Sequence, residues 1–210
     1  MYSKIYLIKH KIDLYRRYLF WKKKKTIFIH IPKVAGTSIN KAIYGRTLGH
    51  YTSNQVKSAF PQLFSDCYKF AVIRDPYERI YSAYKFAKVG KTNDMGVYKP
   101  KQYQIKDFDS FEMFLKNWLP KQNLAKSDFI FRPQVSFITN GYGELLVNDV
   151  FLLSDLKSLE TRFGVNFKNH NSTGGRFEME NVYHDESMKK IVSDLYSDDI
   201  ELFRSLQRKR

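Results

Sequence analysis

Short apolar runs alternate along this chain with segments whose apolar residues recur every three or four positions, and the two periods mark strands and helices in turn. The run TIFIHI, residues 26–31, is β-branched and apolar and predicts a buried strand. The Gly36-Thr37-Ser38 that follows predicts a tight turn opening a helix to about Tyr44. FAVI, residues 70–73, predicts a second strand. Directly after it, Arg74-Asp75-Pro76-Tyr77-Glu78 reads as a helix start running to about Phe86. Asp75 is its N-cap, Pro76 its first helical residue and Glu78 the reciprocal cap. A helix is predicted over 108–119, a buried strand over 147–153 and a helix over 155–163. The last helix starts near Asp185, which caps it, and buries Met188, Ile191, Val192, Leu195, Leu202 and Phe203. Residues 89–106, with Gly90, Asn93, Gly96 and Pro100, and residues 169–176 show no period and predict loops, the first of them mobile. Residues 131–139 read equally as helix or strand.

Strands alternating with helices predict an α/β fold, an open and mostly parallel central sheet covered by helices on both faces. Ligands in that architecture bind beyond the carboxyl ends of the strands. With 210 residues, one domain over 26–210 is expected, preceded by an arm over 1–25. In the arm Ile5, Ile8, Ile12, Tyr15 and Leu19 fall on one helix face, with Lys4, Lys9, Lys11, Arg16 and Arg17 on the remainder. Two readings of this basic amphipathic helix stand: a helix docked on the core, or one lying on anionic lipid.

Charge sharpens the picture. The chain holds 36 Lys+Arg against 21 Asp+Glu, a net +15, and such a field attracts nucleotides, nucleic acid, anionic lipid or anionic polysaccharide. Residues 1–25 carry nine Lys/Arg and one Asp, so over half of the excess sits in the arm. Cys67 is the sole cysteine, which excludes an intramolecular disulfide and a cysteine-rich zinc site and points to a reducing compartment. The sequence has neither the apolar core of a signal peptide near its start nor a charge-free run long enough for a bilayer. A cytoplasmic protein is expected, soluble or peripheral on the inner face of the membrane.

Both clear strand ends carry basic and hydroxyl residues. A turn from strand into helix presents consecutive backbone N–H groups and the positive end of a helix dipole, so an anion can sit there without a metal. Gly36 lets the chain approach such a ligand, Thr37 and Ser38 offer hydroxyls, and Lys33 supplies a charge. The order differs from GxxxxGK[ST], where lysine directly precedes the hydroxyl residue, and this disfavours a phosphate-loop kinase. At the second strand end, Arg74 and Ser82 share a helix face, and a guanidinium with a hydroxyl suits a terminal phosphate. Arg74 alone is read first as an ion pair with Asp75 or Glu78; taken together with the first loop, the anion-site reading overtakes it.

FIHIPKVAGTS, residues 28–38, resembles the 5′-phosphosulfate loop of sulfotransferases that use 3′-phosphoadenosine 5′-phosphosulfate (PAPS), and FAVIRDPYERIYSAY, residues 70–84, resembles their 3′-phosphate motif. The likeness is to carbohydrate sulfotransferases related to heparan sulfate 2-O-sulfotransferase, short bacterial members included. GHYTSNQVKSAF resembles the family segment that carries a histidine, here His50, and NHNSTGGRF followed by DLYSDDIELF resembles its closing segment. The resemblance spans 26 to about 203. Val34 stands where threonine is frequent, at a position that offers mainly backbone.

It implies a P-loop-like sulfotransferase fold and in-line sulfuryl transfer from PAPS to a glycan hydroxyl, with adenosine 3′,5′-bisphosphate (PAP) as product and no metal. Lys33 would neutralise the leaving oxygen, and backbone from Val34 through Ala35, Gly36 and Thr37 to Ser38 would hold the 5′-phosphate. Arg74 with Ser82 would hold the 3′-phosphate, and a loop with Ser172, Thr173, Gly174 and Arg176 would help enclose the donor. His50 would take the acceptor's proton, an Asp or Glu being the alternative base, whereas His30 is structural. Acceptors implied are glycans or glycolipids, with Tyr98 and Tyr103 as candidates to stack on sugars. The rivals are a nucleotide kinase and a basic nucleic-acid-binding protein. The chain lacks the signatures of RNP strand, zinc finger and helix-turn-helix, which speaks against specific nucleic-acid binding.

Overall fold

The computed structural model describes residues 12–91, 96–167 and 179–209. In chain order the elements are α1 (Tyr18–Lys24), β1 (Thr26–Ile29), α2 (Gly36–Tyr44), α3 (Ser53–Ala59), α4 (Pro61–Asp66), β2 (Tyr68–Ile73) and α5 (Pro76–Val89). After a run of single turns come β3 (Asp149–Leu152), α6 (Leu156–Phe163), α7 (Glu186–Leu195) and α8 (Ser197–Arg208). The chain forms two compact units: Met1–Ile31, Ala35–Ile73 and Ser136–Asn171 make the first, and Pro32–Val34, Arg74–Val135 and Ser172–Arg210 the second. No helix among the described residues is long and apolar enough to cross a membrane.

The first unit holds the sheet, three parallel strands in the order β1-β2-β3 with Phe28 opposite Phe70 and Phe70 opposite Asp149. Its strands are the expected apolar runs. Every residue of β1 and the last four of β2 are buried, as strands of a parallel sheet should be. β1 lies at the sheet edge, and the Tyr44 hydroxyl at the end of α2 serves its unpaired backbone. That oxygen accepts from Phe28 N–H at 2.9 Å and donates to Thr26 carbonyl at 3.0 Å, so α2 is pinned along the strand it follows. The sequence also carried an unread signal in Thr52-Ser53-Asn54-Gln55. Thr52 and Gln55 form a reciprocal capping box that starts α3.

In the arm, Leu14 and Trp21 are buried, whereas Ile12, Tyr15 and Leu19 of the expected apolar face are 50%, 60% and 70% exposed. The helix therefore docks by a different stripe from the one that periodicity marks. Residues 1–11 lie outside the described residues.

The second unit is built on aromatics: Tyr84, Phe108, Phe111, Phe114 and Phe131 are buried together against α5 and α7. Asp75 caps α5 as expected, accepting from Tyr77 N–H at 2.8 Å and Glu78 N–H at 3.2 Å, an arrangement that contributes about 1 kcal/mol. Two expected helices are broken, each for a local reason. Over 108–119, Ser110 restarts the helix by capping Met113 N–H, and Pro120 cannot donate and crowds the carbonyl four residues back. The backbone answers with a π-helical turn at Phe114–Trp118 and a tight turn at Leu119–Lys121. The terminal helix divides at Tyr196, whose buried hydroxyl donates to the Phe131 carbonyl at 2.7 Å. Ser197-Asp198-Asp199 then opens α8, with acids where the helix dipole favours them. In the expected loop, residues 100–103 form a single turn and Tyr103 is buried, leaving Tyr98 exposed of the two aromatics considered for stacking.

Candidate functional site

The chain leaves β1 through backbone that few residues adopt. Lys33 and Ala35 both have positive φ, 70° and 60°, without being glycine. Such conformations cost about 1–3 kcal/mol each and concentrate where a site requires them. The N–H groups of Val34, Ala35 and Gly36 make no hydrogen bond among the described residues, and Ala35, the N-cap of α2, supplies no side-chain cap. Three unsatisfied donors at a helix start form a cradle for an anion. The cradle is shorter than expected, because Ser38 N–H is spent on the Ala35 carbonyl at 3.1 Å. Thr37 and Ser38 are both buried.

Gly36 also has a steric reason within the fold. A side-chain carbon there would lie 2.0 Å from Cδ2 and 2.2 Å from Nε2 of His30, so the missing methyl makes room for an imidazole. His30 is buried, and burial together with the nearby His50 charge holds it well below the usual histidine range; it is neutral at physiological pH. Its Nδ1 is buried and has no partner. His50 sits beside it, with ring centroids 4.0 Å apart and His50 Nδ1 at 2.8 Å from the His30 carbonyl oxygen. A carbonyl can only accept, so Nδ1 of His50 carries the hydrogen in this contact.

In the second unit Lys33, Arg74, Lys85 and Arg79 gather their charges. The Lys33 ammonium lies 4.1 Å above the Phe86 ring, and burial, then Arg74, Lys85 and Arg79, pull its pKa down to about 8. Cations held this close to one another invite an anion. The pairing reading for Arg74 also holds: Nε donates to Glu78 at 2.9 Å, which takes Glu78 away from the reciprocal cap assigned to it. The terminal guanidinium nitrogens have no partner among the described residues. Ser82 is half-buried on α5, one further step along the stripe of 74, 78 and 82.

The Lys33 environment sets a pH dependence. If the charged ammonium is the form that works on a bound anion, anion-dependent activity should fall above about pH 8, roughly tenfold per pH unit. Lys85 contributes to the depression. A Lys85→Met variant should therefore move the alkaline limb to higher pH in a profile taken across the neutral and alkaline range, and an unmoved limb would remove Lys85 from the cluster.

Ser172, Thr173, Gly174 and Arg176, and with them His170, lie outside the described residues. His184 is exposed, 3.7 Å from Glu112. No group of three or more His, Cys, Asp or Glu among the described residues could hold a metal. Sequence reasoning missed Lys85, Arg79, Gln134 and Asp199. Lys85 stands one turn beyond Ser82 on α5 and was there to be read; Gln134 and Asp199 gave no local signal.

A family model described as the sulfotransferase family matches residues 16–204. No curated protein and no solved structure matches the chain.

Proposed function

From the premise that the chain belongs to the sulfotransferase family, we propose that it moves the sulfuryl group of PAPS onto a hydroxyl of a glycan or glycolipid. The observation that carries the reading is the cluster of Lys33, Arg74 and Lys85 in the same unit, with the strained turn that holds Lys33. PAPS supplies an activated S–O bond and two anionic ends. The terminal nitrogens of Arg74, with Ser82, hold the 3′-phosphate, and the N–H groups of Val34, Ala35 and Gly36 hold the 5′-phosphate.

The acceptor oxygen forms its bond to sulfur as the bond from sulfur to the 5′-phosphate oxygen breaks. His50 Nε2 takes the acceptor's proton, and Lys33 neutralises the charge that grows on the departing phosphate oxygen. This is stabilisation concentrated in the transition state. Positioning and charge supply the catalysis, as in loose phosphoryl transfer. Incubation with donor carrying radiolabelled sulfate and a panel of polysaccharides and glycolipids tests the reading. Label should appear in one glycan class and be lost on Lys33→Ala; label confined to non-glycan acceptors would overturn the acceptor assignment.

The arm fits an anionic bilayer surface. Ile12, Tyr15 and Leu19 are exposed on successive turns, and the sequence of residues 1–25 carries nine basic residues against one acidic. Cys67, buried and free, suits the reducing side of a membrane. The protein should co-sediment with phosphatidylglycerol vesicles and not with phosphatidylcholine vesicles, and Leu19→Glu should release it. Equal recovery on both lipids would contradict the proposal.

A further inference from the structure

We propose that Gln134 and Arg79 are positioning residues for the donor, Gln134 by clamping the backbone of Arg74 and Arg79 by clamping the peptide that precedes Lys33. The inference rests on the donor reading above. Gln134 is fully buried, and both ends of its amide go to one residue: Oε1 accepts from Arg74 N–H at 3.0 Å and Nε2 donates to the Arg74 carbonyl at 2.9 Å. A paired strand would offer the same two bonds. The amide supplies them where β2 has ended and α5 has not begun, a place where the chain has no ladder of its own. The Arg74 side chain, tied at Nε to Glu78, then starts from a fixed backbone.

Gln134 is itself held. Its N–H and that of Val135 go to the two carboxyl oxygens of Asp199, at 2.8 and 2.9 Å, and Asp199 is buried in the first turn of α8. Burial pushes the Asp199 carboxyl up, and Arg79 with the two N–H donors works against that shift. Arg79, also fully buried, donates from Nε to the Pro32 carbonyl at 3.1 Å and from one terminal nitrogen to the Ile130 and Arg132 carbonyls at 3.2 and 2.7 Å. Pro32 is the residue before Lys33. One terminal nitrogen of Arg79 remains buried without a partner, so the group is not optimised for its own satisfaction. An apolar set of equal volume would fill this space with less desolvation. It could not hold two peptide groups whose side chains carry the charges.

The two clamps act on different residues, and so on different constants. Gln134→Met keeps the volume and removes both bonds; through Arg74, which binds donor equally in ground and transition states, it should raise the PAP dissociation constant and the donor KM by about 10- to 100-fold with kcat little changed. Arg79→Lys keeps the charge and loses the fork; through Lys33 it should lower kcat by about tenfold or more with PAP affinity retained. Calorimetric titration with PAP, donor kinetics and thermal unfolding of each variant are the measurements. Where Gln134→Met fails to fold, Gln134→Glu, which keeps the acceptor for Arg74 N–H, should give an intermediate loss of affinity. Variants that only unfold earlier, with wild-type PAP affinity and a wild-type donor KM, would overturn the clamp while leaving the donor reading in place. A wild type that does not bind PAP would overturn both.

Discussion

Lys33→Ala is expected to lower kcat by about 10³-fold while the protein unfolds at the same temperature or higher. Removing one preorganised group that meets developing charge in a dry site typically costs about 2.7–4 kcal/mol of transition-state stabilisation, and Lys33 is a full charge rather than a dipole. Burial and three cationic neighbours already depress its pKa, so in the empty enzyme the ammonium is a burden on the fold. Alanine relieves that repulsion at little packing cost beyond the contact with Phe86. Activity lost with stability unharmed is the mark of a group kept for function. Single-turnover rates at saturating donor, with thermal unfolding of the same preparation, provide the check. A variant within tenfold of wild type would remove Lys33 from the reaction.

The second large effect is expected at His50. His50→Ala should reduce kcat by about 10²–10⁴-fold, the range ascribed to a positioned general base, with PAP affinity unchanged. Alanine also removes the donor to the His30 carbonyl, so His50→Asn is the sharper variant. The asparagine amide can donate to that carbonyl and preserve the local backbone, yet it has no basic nitrogen. If His50 acts as base, both variants lose turnover alike. If it merely braces His30, asparagine restores it, and a carboxylate takes the role of base instead.

The parts of this molecule that were legible in its sequence are those written in neighbouring residues. The strand runs at 26–29, 68–73 and 149–152, the Asp75 and Asp185 caps and the helix after Gly36 each follow from a local period or a capping side chain. Lys33 and Arg74, two like charges that act on each other, each stand shortly after a strand of the sheet. The clamp was not legible: Gln134 lies 60 residues from Arg74, and Asp199 lies 65 from Gln134. A glutamine amid 131–139 gives no sign that its amide completes someone else's backbone.

What packs against a residue is equally hidden from its neighbours in sequence. A glycine reports free space without saying what fills it, and beside Gly36 stands the ring of His30. The arm's period marked Ile12, Tyr15 and Leu19, yet Leu14 and Trp21 meet the core. Amphipathicity tells that a face exists; only packing tells which face is covered.

Calorimetric titration of the wild type and of Arg74→Ala with PAP tests the central claim most directly, namely that the basic residues after β1 and β2 grip a doubly anionic adenosine. Binding of one PAP per chain at micromolar concentration is expected for the wild type, and a loss of about 30-fold or more in Arg74→Ala, as for a charge-assisted contact. Absence of binding by the wild type at these concentrations, or equal affinity in the two proteins, would contradict it.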